Sequence, residues 1–206
     1  MADVAGAKAW KANERLGYRG VQIIGAGFIV TRDEARAFGL GTVPGLEAHI
    51  REYRNGRDLT APPRDVLAID LFGLTEAQVR SRFPAVYQHV MDKVKPERDQ
   101  NNRDSHEKNW WIHGETCKDL RPALVGLSRH IATVETTKHR TVQFLGAETF
   151  PDNMLVAIGL ADASQLAVQS SRFHVVWTLR LAALSKIAPA TTNCSALLPS
   201  QPTPSR

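Results

Sequence analysis

The sequence predicts an α+β fold: a mixed, mainly antiparallel sheet with packed helices, followed by a disordered C-terminal tail. Three observations carry this. Short β-prone apolar runs alternate with helix signals at irregular spacing, without the steady rhythm of parallel βαβ units. Hydrophobic residues make up 43% and charged residues 23% of 206 residues, the mixture of a globular chain that can bury a sizeable core. From Pro189 onward the chain is rich in Pro, Ser and Thr and holds no acidic and no aromatic residue, a composition that cannot build a core.

The elements follow in order. Residues 8–16 form a short polar lead-in with helical character. Val21-Gln22-Ile23-Ile24 reads as a strand closed by Gly25 and Gly27. Thr31-Arg32-Asp33-Glu34 is a capping box, which starts a helix that runs to about Phe38 and stops at Gly39 and Gly41. His49 to Tyr53 is a short strand, and Asn55-Gly56 is a two-residue turn signal. Val66 to Leu71 is a buried strand, and Thr75-Glu76 opens a helix broken at Phe83-Pro84, with a second helix from Tyr87 to Val94.

Residues 96–109 carry charges of both signs and read as an exposed helix end and loop, after which Trp110-Trp111-Ile112 returns to the core. Residues 129–135 and 140–145 form two strands, with Thr136, Thr137, Lys138 and His139 as the turn between them. Met154 to Leu160 is another strand. Asp162 or Ser164 caps the last helix, whose buried face is Leu166, Phe173, Val176, Trp177, Leu181 and Leu184.

Composition removes several classes of function. The longest apolar runs are far short of a membrane span. Met1 to Trp10 lacks the apolar stretch of a secretory signal, and Cys117 and Cys194 are too few and too far apart for a disulfide framework, so a cytoplasmic location is expected. The 26 basic residues exceed the 21 acidic ones by five. After Asp162 no acidic residue follows, while Arg172, Arg180, Lys186 and Arg206 do, so one end of the chain is basic enough to follow a phosphate backbone. A weakly charged helix with a neutral tail explains the same pattern.

Enzyme motifs fail on inspection. Gly25-Ala26-Gly27 follows a β-prone run, but Val30 stands where a dinucleotide fold needs a third small residue, and the helix cap at Thr31 comes too late. The seven histidines show no tight ligand spacing, and there is no Cys-x-x-Cys, so no metal site is expected. No Gly-x-Ser-x-Gly is present, and Cys117 reads as a free structural cysteine near His113.

Nucleic-acid contact fits better. Arg129-His130 and Lys138-His139-Arg140 place five basic or titratable groups on two adjacent strands and their turn, with Thr133, Thr136, Thr137 and Thr141 as hydroxyls. An ordinary polar hairpin is the alternative. Arg54 and Arg57 flank Asn55-Gly56 and can reach phosphate, or the segment is a tight turn with a local Arg57–Asp58 ion pair. Trp110 and Trp111 read as core, and Arg172 as outward-pointing beside His174 and Trp177, which pack the last helix on the sheet.

At these residues the order of motifs resembles a known family. Arg54-Asn55-Gly56-Arg57-Asp58-Leu59-Thr60 precedes Val66-Leu67-Ala68-Ile69-Asp70, Phe83-Pro84-Ala85-Val86-Tyr87 and Val94-Lys95-Pro96-Glu97-Arg98. Asn109-Trp110-Trp111, Leu120-Arg121-Pro122-Ala123-Leu124, Arg129-His130-Ile131-Ala132-Thr133, Thr137-Lys138-His139-Arg140 and Ser170-Ser171-Arg172-Phe173-His174-Val175-Val176-Trp177 follow. The series, over roughly residues 10–185, resembles the target-recognition region of type IIG and MmeI-like adenine-specific DNA methyltransferases of the restriction–modification class.

The resemblance implies a sequence-specific DNA recognition module over residues 1–186, with residues 187–206 as the disordered tail. In that family a catalytic domain binds S-adenosylmethionine and methylates adenine N6 on a base flipped from the duplex. Its signature is an Asn-, Asp- or Ser-Pro-Pro-aromatic tetrapeptide, whereas the Pro-Pro here is Ala61-Pro62-Pro63-Arg64. The implied chain is therefore a fragment that binds no cofactor and does not methylate alone, S-adenosylmethionine belonging to the missing catalytic domain. Its implied partners are double-stranded DNA and a separately encoded methyltransferase catalytic domain, in restriction–modification and phage defence. Lys138 and Arg140 are the leading DNA-binding candidates, then Arg129, His139, Arg57, Arg54 and Arg172. The family continues past the last helix with a Tyr-Asn segment and a Phe-Pro-rich close, so the tail from Pro189 reads as out-of-frame sequence. A protein-interaction or scaffold domain without DNA binding is the alternative function.

Overall fold

A computed structural model describes residues 16–100, 107–114, 117–137, 141–176 and 178. The lead-in over 8–15, Lys138, His139, Arg140, Trp177, Leu181, Leu184, Cys194 and the tail lie outside the described residues. The α+β class holds: helices accompany two four-stranded sheets in which one neighbouring pair is parallel and the rest antiparallel. The chain divides into two compact units, one of residues 20–117 and 148–153, the other of 1–19, 118–147 and 154–206.

The unit of residues 20–117 and 148–153 carries β2 (Ile29–Val30), α1 (Arg32–Ala37), β3 (Ile50–Arg54), α2 (Gly56–Thr60), β4 (Leu67–Ile69), α3 (Glu76–Arg82), α4 (Pro84–Lys93), α5 (Lys95–Asp99) and β7 (Phe150–Pro151). Its strands run in the order β2-β4-β3-β7. The capping box at Thr31 forms as its sequence predicts. Glu34 N–H donates to Thr31 Oγ1 at 3.2 Å, and Thr31 N–H donates back to Glu34 Oε2 at 2.8 Å. Thr75 and Gln78 repeat the device at the start of α3. Pro84 then occupies the first turn of α4, where a missing N–H costs nothing, which explains the break at Phe83. The core of this unit gathers Phe28, Leu46, Ile69, Val79, Phe83, Val86, Val90 and Trp110. A large apolar side chain buried this fully contributes about 1.5–3 kcal/mol.

Three expectations for this unit are corrected. Residues 21–24 do not form a strand: Val21 makes one parallel bridge to Asp152, a 3-10 turn covers Ala26–Phe28, and the paired strand is β2. The β-branched run promised a strand, but Val21 and Gln22 carry isolated bridges and Ile23 and Ile24 are not paired as a strand. The glycines there serve packing. Gly25 has φ 105°, and a Cβ on Gly27 would stand 2.6 Å from Lys93 Cβ at the end of α4. Asn55-Gly56 is no hairpin turn, because Asn55 Oδ1 accepts the N–H groups of Arg57 and Asp58 and so caps α2. Residues 96–109 are not uniformly exposed, since α5 folds Arg98 to zero exposure.

The other unit carries β1 (Gly17–Arg19), α6 (Leu120–Leu124), β5 (Arg129–Val134), β6 (Val142–Gly146), β8 (Leu155–Ile158) and α7 (Ala163–Ser170). Strand order is β1-β8-β5-β6, with Ile131 opposite Phe144 and Thr133 opposite Val142 in the predicted β5–β6 hairpin. β8 is buried along its whole length, and Ile131, Val156 and Ile158 form a core covered by Leu16, Val142, Phe144 and Leu166. Asp162 caps α7 by accepting the Ser164 N–H at 2.7 Å. Among the described residues the apolar face expected for this helix is broken: Leu166 packs on the core, whereas Phe173 and Val176 are exposed. Ser171 is extended (ψ 146°) and ends α7, the segment 172–176 turns helical again in a new register, and Phe173 is 90% exposed. Among the described residues no helix is long and apolar enough to cross a membrane.

Candidate nucleic-acid interface

The Arg54–Asp58 corner sits where β3 runs into α2, and one carboxylate holds it. Asp58, buried, takes the Arg64 guanidinium through Nε at 3.0 Å and Nη2 at 2.9 Å, and the Asn55 N–H at 3.0 Å. Its partner is thus Arg64 and not the neighbouring Arg57, which corrects the local ion pair expected from sequence. Burial alone would push the Asp58 carboxyl up, but the Arg64 side chain and the backbone N–H groups of Asn55 and Arg64 outweigh it and hold it below the usual range. Nearby, Tyr53 Oη donates to Asp152 Oδ2 at 2.7 Å, and burial together with this bond raises the phenol pKa.

The two arginines of the corner differ. Arg54 is paired with Glu52 and its side chain is only 17% exposed, with Nη1 buried and lacking a hydrogen-bond partner among the described residues. Arg57 is exposed and has no ion-pair partner among the described residues. A cleft of about 580 Å³ in the same unit mixes Arg32 and Arg51 with Glu47, Glu52 and Glu148, so it favours neither sign of ligand. Arg32 is already bound to Asp65 at 2.6 Å.

In the other unit Arg129 opens β5 opposite Gly146, whereas the turn lies beyond the Thr133–Val142 pair. Arg129 is therefore roughly 14 Å along the strand from the end that leads to Lys138, His139 and Arg140. Those three lie outside the described residues. His130 and Thr133 are buried, so the expected row of five basic or titratable groups is not one continuous surface. Arg129 itself is exposed and held. Its Nε donates to Ala161 O at 3.0 Å, and its guanidinium carbon lies 3.9 Å from the Phe144 ring centroid. Arg172 is exposed, and His174 lines a small cavity with Thr133, Gln169 and Thr178.

Sequence reasoning missed Arg64 and Phe144. The periodicity of β6 marks Phe144 as a sheet residue but cannot show that an arginine from the paired strand lies over it. Trp110 is buried as expected, with Tyr87 and Trp111 against it. Cys117 donates to Gly20 O at 3.0 Å. Among the described residues no three His, Cys, Asp or Glu side chains cluster as metal ligands would.

No protein-family model matches the chain, and no curated protein is detectably similar to it in sequence. Among solved structures, its fold is similar to part of the type IIL restriction-modification enzyme MmeI, determined in complex with DNA. The likeness has a TM-score of 0.61 at 16% identity and covers 79% of this chain but 21% of that one. The chain thus spans about a fifth of the length of this neighbour.

Proposed function

We propose that this chain is a DNA target-recognition module of the restriction–modification class, reading a duplex on behalf of an adenine-N6 methyltransferase. The observation that carries the reading is the fold shared with one part of an enzyme solved on DNA. The motif series over residues 10–185 and the exposed cations Arg57, Arg129 and Arg172 support it. In this reading residues 1–186 form the recognition module and residues 187–206 a tail without a role in binding. Lys138, His139 and Arg140 join Arg129 and Arg172 as DNA contacts, with Arg57 and, more weakly, the Glu52-paired Arg54. Phosphate contacts set register and most of the affinity, and base edges set sequence. S-adenosylmethionine and methyl transfer belong to a catalytic domain outside these residues, which acts in phage defence together with the recognition module.

Two assays on the purified chain test this together. Gel shifts should show retarded duplex DNA, and incubation with labelled S-adenosylmethionine should leave that DNA unmethylated until a catalytic domain is supplied. Methylation by the chain alone would refute the division of labour. Failure to shift any duplex, with capture of a protein partner instead, would favour an interaction domain.

A further inference from the structure

We infer that Arg129 is a base-reading residue whose guanidinium takes the two acceptors, O6 and N7, on the major-groove edge of a guanine. This rests on the DNA-recognition reading above and assigns one position of its specificity.

The geometry singles out this arginine. Arg19, Arg32, Arg36, Arg54 and Arg64 are each neutralised by a carboxylate, and Arg98 is fully buried. Among the described residues Arg57, Arg80 and Arg172 are exposed without a ring beneath them, and Arg121 is half-buried. Arg51 spends its guanidinium on the Glu148 and Thr149 carbonyls, and Arg82 lies farther from its ring, 5.1 Å from the Phe83 centroid against 3.9 Å for Arg129 on Phe144. Arg129 is exposed, stacked on Phe144 and tied through Nε to Ala161 O, and it makes no ion pair within 4 Å among the described residues. With Nε used and one face covered by the ring, the two Nη groups are the part of the fork that stays available. They present a planar end-on pair of donors, which matches two adjacent acceptors in one plane. The rotamer freedom that a loose arginine would lose on binding is already lost here.

A phosphate offers paired acceptors too, but the local charge disfavours it. The Asp162 carboxylate lies close enough to Arg129 to feel its charge. The Ser164 N–H and hydroxyl, and to a lesser degree Arg129, hold this carboxyl below its usual pKa, so it is ionised at neutral pH. An incoming phosphate meets that negative charge, whereas a guanine edge is neutral.

Selection from a pool of random duplexes with the full chain tests the assignment, using Arg129→Gln, Arg129→Lys and Phe144→Leu, with Arg57→Ala for comparison. The wild type should enrich a guanine at one position of its site. Arg129→Gln should lose that preference and keep the others, with about ten- to hundred-fold weaker binding to the selected site. It should bind a site altered at that guanine about as well as the wild type does. Arg129→Lys should retain only part of the preference, and Phe144→Leu should blur the same position while the rest of the selected motif stays as in the wild type. Equal weakening on every duplex would make Arg129 a phosphate contact and overturn the assignment, as would an unchanged selected motif. A wild type that binds duplexes without enriching any base also overturns it. A wild type that binds no duplex fails the broader reading instead, and the assignment with it.

Discussion

The buried Asp58 carboxylate holds Arg64 by both Nε and Nη2, at 3.0 and 2.9 Å, and also takes the Arg64 backbone N–H at 3.2 Å. The seven residues from Asp58 to Arg64 are thereby closed into a loop behind the corner that presents Arg57. The carboxyl sits below its ordinary pKa in the fold, so its contribution is present above the unfolded value of about 3.9 and is lost as pH falls through the folded one. Asp58→Asn should cost about 2–3 kcal/mol at neutral pH. Thermal melts between about pH 6 and pH 2 should show a smaller acid-induced drop in Tm for the variant than for the wild type. Equal acid slopes would show that the pair is not the group that titrates.

Arg98 predicts a gain from removing a charge. Its side chain is fully buried, Nη2 donates to Ile112 O at 3.0 Å, and Nε and Nη1 have no hydrogen-bond partner among the described residues. Burial lowers its pKa accordingly. Arg98→Met keeps the length of the side chain, and denaturant unfolding should find it neutral or more stable by up to about 2 kcal/mol. A loss of several kcal/mol would mean that the guanidinium is better satisfied than its bonds indicate.

Gly27 separates packing from nucleotide chemistry. Its added Cβ would meet Lys93 Cβ at 2.6 Å, so Gly27→Ala should cost about 1–3 kcal/mol by overpacking. Isothermal titration with adenine and guanine nucleotides should detect no binding to either protein. Nucleotide binding that Gly27→Ala abolishes would revive the Gly-x-Gly segment as a site.

Arg57 should behave as a phosphate contact. Anisotropy titrations of Arg57→Ala at several salt concentrations should show weaker binding to all duplexes alike, and a salt slope shallower by about one. Lys138→Ala and Arg140→Ala should each reduce duplex affinity too. Unchanged binding in all three variants would move the interface elsewhere.

The sequence announced elements whose signals are local, and it missed those set by distant partners. Thr31 and Glu34 are three residues apart, so their capping box could be read directly, as could the β5–β6 hairpin. Asn55-Gly56 misled because the same asparagine that starts a tight turn also caps a helix, and the choice falls to Asp58 three residues later. Arg98 sits among charges and looked solvated, whereas its burial depends on the fold of the whole unit around Phe28. The 3.6-residue spacing through Phe173 assumed one unbroken helix, and a single extended residue, Ser171, shifts the register. Of the candidate site, the identities of the cations were legible. Which of them are quenched by Glu52, and which is held on Phe144, was not.

The salt dependence of duplex binding by the intact chain tests the account most directly. Fluorescence anisotropy with a labelled random-sequence duplex, between about 50 and 200 mM salt, should give a log affinity that falls linearly with log salt, as release of counterions requires. No binding at the lowest salt, or an affinity that salt leaves unchanged, would contradict a DNA-recognition module.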